Sequence, residues 1–184
     1  MSPRVLVAGI GNIFLGDDAF GVEVARRLAA LGLPEGARVV DFGIRGLDLS
    51  YALLDGYESV IFVDAAPRGG RPGTLYVLEL PRGDPDASGD GVLVEGHNLD
   101  PARVLRLATA LGARVGRLIL VGCEPNPIDE SADFGAGLSP AALAAVAEAV
   151  PLIEALVARL LRGEEIAAGG DGTISGKEAS PCCN

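Results

Sequence analysis

Short apolar runs along this chain alternate with stretches in which apolar residues recur every three or four positions. Val5–Ala8 predicts a buried strand, and Phe20, Val24, Leu28 and Leu31 mark one face of a following helix. Arg38–Phe42 reads as a second strand and Leu47–Leu54 as a short helix. Ser59–Asp64 (SVIFVD) is a third, very apolar strand, and Thr74–Leu80 alternates as a fourth after the turn Arg68-Gly69-Gly70-Arg71-Pro72-Gly73. A polar loop spans Pro81–Gly96. Asp100 followed by Pro101 is an N-cap with proline at the first helical position, opening a helix to about Leu111. Leu118–Gly122 is a fifth buried strand. Ser139-Pro140 repeats the cap signal and opens a last helix to about Arg162, which Pro151 is expected to kink or split.

Strand and helix in alternation predict an α/β fold, with a mostly parallel sheet and helices on both faces. Residues 1–162 are expected to form one domain, and residues 163–184, rich in Gly, Ser and acids, a disordered tail. With no Trp and 4% aromatic residues, the core is aliphatic. The formal net charge of -10 argues against nucleic acid and anionic membranes as partners. Three cysteines, Cys123, Cys182 and Cys183, give no disulfide framework and fit a reducing cytoplasm. The longest apolar stretch, Ala141–Leu161, is interrupted by Glu148, Pro151, Glu154 and Arg159, so no membrane span is expected.

Open α/β sheets bind ligands beyond the carboxyl ends of their strands. The first strand leads there into GIGNIFLGDDAFGV (Gly9–Val22). Gly9 and Gly11 fit a dinucleotide fingerprint, but Phe14 stands where its third glycine belongs, and Asp17 and Asp18 would repel a pyrophosphate. The glycines are then needed only to turn the chain off the strand. Asp18 alone reads more readily as an acid favouring the dipole of the next helix. Asp64 ends a buried strand, where a carboxylate either caps the next turn or serves a site. His97, the only histidine, would alone read as a loop residue. Two carboxylates and an imidazole together suit Zn²⁺, Ni²⁺ or Mn²⁺ with a coordination position left open, provided the fold gathers them. Cys123, at the end of an apolar strand, reads as an inert thiol rather than a nucleophile.

GIGNIFLGDDAFGV, DFGIRGLDL (Asp41–Leu49), SVIFVDAAPRGGRPGTLY (Ser59–Tyr76), GHNLDP (Gly96–Pro101) and LVGCEP (Leu120–Pro125) appear in an order that resembles the hydrogenase maturation proteases, from about residue 4 to residue 160. The resemblance implies a three-layer α/β/α sandwich of the phosphorylase/hydrolase-like type. Its sheet would be five-stranded and mostly parallel, in the order 2-1-3-5-4, with strand 4 antiparallel. It implies an endopeptidase that removes the C-terminal extension of a [NiFe]-hydrogenase large subunit after nickel insertion, with the nickel-loaded precursor as partner. The metal ligands it implies are Asp18, Asp64 and His97. The metal is either the substrate's nickel or a divalent ion bound by the protein itself. The loop Phe42-Gly43-Ile44-Arg45-Gly46 departs from the Gly-Gly-Thr-x-Gly frequent in that family, which bears on substrate choice. Gly43, Arg45 and Gly46 are accordingly candidate substrate contacts, with Arg45 either clamping a substrate carboxylate or carbonyl or simply solvated. A monomer is expected. The rival readings are a binding protein that escorts the nickel-loaded partner without cutting it, and a nucleotide-dependent α/β enzyme.

Overall fold

The computed structural model describes residues 4–80, 101–127, 137–164 and 173–174. Its strands are β1 (Val5–Ile10), β2 (Ala37–Gly43), β3 (Ser59–Ala65), β4 (Leu75–Leu80), β5 (Arg117–Cys123) and β6 (Thr173–Ile174). Its helices are α1 (Phe20–Leu31), α2 (Gly46–Ala52), α3 (Pro101–Ala110) and α4 (Pro140–Leu161). A single 3-10 turn, Gly16–Ala19, precedes α1.

The sheet order is β2-β1-β3-β5-β4-β6. β1, β2, β3 and β5 run parallel, and β4 pairs antiparallel with β5. The five-stranded core therefore has the expected 2-1-3-5-4 order. β6 departs from expectation: within the stretch read as a tail, Thr173 and Ile174 pair antiparallel with Tyr76 and Leu75 and extend the sheet at its edge.

Period-two alternation sends side chains to both faces of the sheet. Val5, Val7, Ile61, Val63, Ile119 and Val121 meet Phe20, Val24 and Leu28 of α1 and Ala145, Val146 and Ile153 of α4. Leu6, Ala8, Val60, Phe62, Leu118 and Leu120 meet Leu49 of α2 and Val104 and Ala108 of α3. Each fully buried aliphatic side chain contributes about 1.5–3 kcal/mol, so these two layers carry most of the stability.

α4 passes the length and composition test for a membrane span, but here it is a core helix packed against α1, β1 and β5. Ser139 caps it as expected, its hydroxyl accepting from the Ala142 N–H at 3.1 Å. Pro151 does not split it. Pro151 and Ala147, whose carbonyl loses its helical donor to the proline, both lie on the exposed side, where water can serve that carbonyl. The cap expected at Asp100 and the loop Pro81–Gly96 lie outside the described residues.

Candidate metal site at the carboxyl edge of the sheet

β1 ends at Ile10, and the chain must turn back at once so that α1 can cover the sheet. Gly11 makes that turn at φ +134, and a Cβ there would fall on the Asp18 carbonyl oxygen. Gly21, in the first turn of α1, lies against the Val63 and Ile10 carbonyls just as closely. Gly21, with Gly9 facing it from β1, thus lets helix and sheet approach. Phe14, which replaces the third glycine of a dinucleotide loop, is 61% exposed and takes no part in that packing. The glycines therefore bring the turn that carries Asp18 down onto β1 and β3, a closer fit than a simple change of direction requires.

Asp17 and Asp18 divide the work of that turn. Asp17 is buried and accepts from Asn126 N (2.9 Å), Ser139 N (2.7 Å) and Ser139 Oγ (2.9 Å). Asp18 is only partly buried, and its Oδ2 accepts from Asn12 N at 2.7 Å. Asn12 in turn accepts through Oδ1 from Phe14 N at 3.0 Å, which fixes the loop around the carboxylate.

Asp64 is the penultimate residue of β3, in register with Gly122 of β5, and its Oδ1 accepts from Ala65 N at 2.8 Å. The 3-10 turn carrying Asp18 packs on β3. Burial pushes the Asp18 carboxyl up, against the opposing bond from Asn12. Burial and then the charge of Asp18 push Asp64 well above the usual carboxylate range, against the bond from Ala65. The structure therefore brings these two acids into one electrostatic neighbourhood. Of the arginines nearest in sequence, Arg26 and Arg27 pair with Asp41 and Glu23, and Arg68 lies over the Tyr76 ring.

Two carboxylates that burial penalises in their charged forms, Asp64 further through the charge of Asp18, are an arrangement a divalent cation relieves, so this donor set fits the implied metal. His97 lies outside the described residues, in the segment leading to α3. Among the described residues no group of three His, Cys, Asp or Glu is placed to hold an ion. Two of the three expected ligands are thus together here.

The loop after β2 is tied to the loop after β1 by Gly11 N donating to the Gly43 carbonyl at 3.1 Å. Arg45 turns back on its own loop, donating from Nε to the Phe42 carbonyl at 3.0 Å and from Nη2 to the Asp41 carbonyl. In this conformation Arg45 shapes the loop that would meet a substrate, and its donors point at Phe42 and Asp41. Gly46 opens α2 directly behind it.

Glu124, just past β5, is also buried. Its carboxylate accepts from Tyr76 OH (2.7 Å), Arg68 N (2.8 Å) and Gly69 N (3.2 Å). Burial alone would raise its pKa, but these bonds, together with one from Gly70 N, outweigh burial and hold it below the usual range. Its placement does not suit a proton carrier. From the sequence, Glu124 reads as a candidate proton carrier at the edge of the site and Asp17 as a helix starter. The bonding partners of both are remote in sequence, so no local pattern announces them.

Cys123 is free and buried. Burial, then the charges of Asp17 and Glu124, push its thiol up to about 12, so almost none is thiolate at neutral pH. Native protein treated with iodoacetamide at pH 7 is expected to keep Cys123 unmodified, with labelling only after unfolding, as read by peptide mass spectrometry. Rapid native labelling of Cys123 would contradict this placement.

Comparison with known proteins points in one direction. Residues 22–156 match the hydrogenase maturation protease family (HycI). The chain is 33% identical to the hydrogenase expression/formation protein HupD of Rhodobacter capsulatus, over 89% of this chain and 77% of that one. The hydrogenase maturating endopeptidase HybD of E. coli superposes with a TM-score of 0.65 at 26% identity, covering 87% of this chain and 94% of that one. The [NiFe] hydrogenase maturation protease HycI of Thermococcus kodakarensis also gives 0.65 at 26% identity, covering 84% and 92%.

Proposed function

This chain belongs to the hydrogenase maturation protease family, and on that premise we propose that it is the endopeptidase that removes the C-terminal extension of a [NiFe]-hydrogenase large subunit. The observation that supports the site assignment is the placing of Asp18 on a turn packed against β3, where burial penalises both carboxylates and the charge of Asp18 adds to the cost of charging Asp64. His97 is proposed as the third ligand. The cation is the nickel of the loaded precursor, which makes it part of the substrate and makes its presence the condition for cutting. When held there it supplies Lewis-acid chemistry, polarising the scissile carbonyl or activating a water.

The chain's own residues do the rest. Asn12 orients Asp18 through its backbone N–H, and the Ala65 N–H orients Asp64. Phe14 and Ile44 stand exposed on the two loops that Gly11 and Gly43 tie together, offering apolar contact to a peptide that crosses the site. No serine or cysteine nucleophile is needed, and Cys123 is too well buried and too weakly ionised to act as one. We place this reaction in the cytoplasm, where reduced thiols persist.

Incubation of the purified protein with nickel-loaded and nickel-free precursor, followed by intact-mass measurement, tests the reading. Loss of a C-terminal peptide from the loaded precursor only is the expected result. Tight binding of loaded precursor that never shortens it would mean an escort protein instead.

A further inference from the structure

We propose that Asp17 and Glu124 are positioning residues, and that the segment Glu124–Asn126 between their anchor points is a brace that sets the separation of Asp18 and Asp64. The inference rests on the reading of Asp18 and Asp64 as the site. It adds the parts of the chain that hold them in place.

Asp17 and Glu124 are the least exposed acids among the described residues, at 8% and 5%. A buried carboxylate persists only when its oxygens are well supplied with donors. Each of these two has three or more, mostly backbone N–H groups: those of Asn126 and of Ser139, the cap of α4, for Asp17, and those of the loop after β3 for Glu124. The distribution of those donors distinguishes a positioning role from general stabilisation. Asp17 shares its 3-10 turn with Asp18, so fixing the Asp17 carboxylate to Asn126 and Ser139 fixes the rotation of that turn and the direction in which Asp18 emerges.

Glu124 grips Arg68 and Gly69, in the loop that leaves β3 just after Asp64. The same loop is held nearer the strand by Ala66 N donating to the Cys123 carbonyl at 2.8 Å. Gly70 shows how tight this grip is, since a Cβ there would collide with the Tyr76 hydroxyl and crowd Glu124.

The two anchors meet on one short piece of chain. Glu124 anchors the Asp64 side, and Asn126, which anchors the Asp18 side, lies two residues on. Two residues span at most about 7 Å, so this strut leaves little freedom in how far apart the two loops can sit. Pro125 and Pro127 flank Asn126, and each locks its own φ near -65°, which stiffens the strut further. Metal–carboxylate bonds of about 2.0–2.2 Å tolerate only small errors in ligand position, so a fixed separation is what such a site needs.

The test uses the full chain with Glu124→Gln and Asp17→Asn, which keep side-chain shape and remove acceptor capacity. Three readouts are taken: the backbone amide resonances of Asn12 and Ala65, Ni²⁺ affinity by calorimetry, and cleavage of nickel-loaded precursor. The amides donate to Asp18 and Asp64, so they report the two carboxylates without metal or substrate. Glu124→Gln is expected to shift Ala65, and Asp17→Asn to shift Asn12. Both should weaken Ni²⁺ binding by about 10–100-fold and lower kcat with KM changed by less than about twofold, the usual consequence of loosening what orients a metal ligand. Glu58→Gln, in a surface ion pair with Arg4 remote from the site, should change none of these.

Tyr76→Phe removes one donor to Glu124 and should move Ala65 in the same direction by less. It decides the matter for Glu124 if Glu124→Gln does not fold. Ser139→Ala, which removes one donor to Asp17, does so for Asp17. Folded variants whose Asn12 and Ala65 amides and Ni²⁺ affinity match the wild type would overturn the proposal. If the wild type itself binds no Ni²⁺ and cuts nothing, the metal-dependent protease reading fails, and the amide shifts still decide whether the brace exists.

Discussion

Replacing Asp64 by Asn is expected to abolish cleavage and, at neutral pH, to make the protein more stable. The loss of activity should exceed about 100-fold, the upper end of what losing an outer partner costs a metal site, because here a ligand itself loses its charge. The gain in stability follows from the direction of the pKa shift. Burial and the neighbouring Asp18 raise the Asp64 carboxyl well above its ordinary value in the folded protein. For such a group the favourable state is the protonated one. Its contribution is fully present below the unfolded carboxyl pKa of about 3.9, and is lost as pH rises through the higher folded value. At pH 7 the wild type bears that cost, and Asp64→Asn does not. About 1 kcal/mol moves Tm by ~2–4 °C in a chain of this size, so a rise of a few degrees at pH 7 is expected, shrinking towards zero near pH 3. Thermal melts of both proteins at the two pH values measure it. A Tm at pH 7 below that of the wild type would show that Asp64 is a satisfied structural acid.

The second large effect is on folding itself. Gly11→Ala should cost about 3 kcal/mol or more, combining strain at a positive φ with the displacement of a backbone carbonyl that has nowhere to move. Gly11 sits at φ +134 with the Asp18 carbonyl where a Cβ would go. Gly32 separates the two contributions. It too has a positive φ, +81, but nothing lies within 4 Å of an added Cβ. Gly32→Ala should therefore cost only the conformational penalty, about 1 kcal/mol. Urea unfolding of the two variants gives the comparison. Equal midpoints would mean that Asp18 is not pressed onto the end of β1 as described. The Gly11 variant should also cut poorly even where folded, because the collision moves the residue that bears the site carboxylate.

The sheet and its helices were legible because their signals are local. SVIFVD alternates between two apolar faces, Ser139-Pro140 caps a helix within three residues, and the apolar positions of α1 repeat at helical spacing. Asp18 and Asp64 were legible as candidates because each lies at or beyond the carboxyl end of a strand, on the edge where such sheets bind ligands. What could not be read locally was the division of labour between Asp17 and Asp18. Asp17 finds its donors 109 and 122 residues away, and nothing near it in the sequence announces Asn126 or Ser139. Glu124 likewise closes on a loop 55 and 56 residues earlier. The short β6 was missed because two residues in a Gly- and Ser-rich stretch carry no periodicity, and pairing with β4 alone makes them a strand. Arg45 reads from sequence as either a substrate clamp or a solvated side chain, because sequence does not show that it folds back onto the Phe42 and Asp41 carbonyls of its own loop.

The proposed function is tested most directly by whether Asp18, Asp64 and His97 share one metal ion. Because His97 is the only histidine, its imidazole protons give a single set of resonances, and titration with paramagnetic Mn²⁺ or Ni²⁺ can follow them directly. The imidazole signals and the Asn12 and Ala65 amides are expected to broaden together at the same metal ratio, and Asp64→Asn to remove this response. Imidazole signals that stay sharp while the two amides broaden, or an unchanged response in Asp64→Asn, would contradict it.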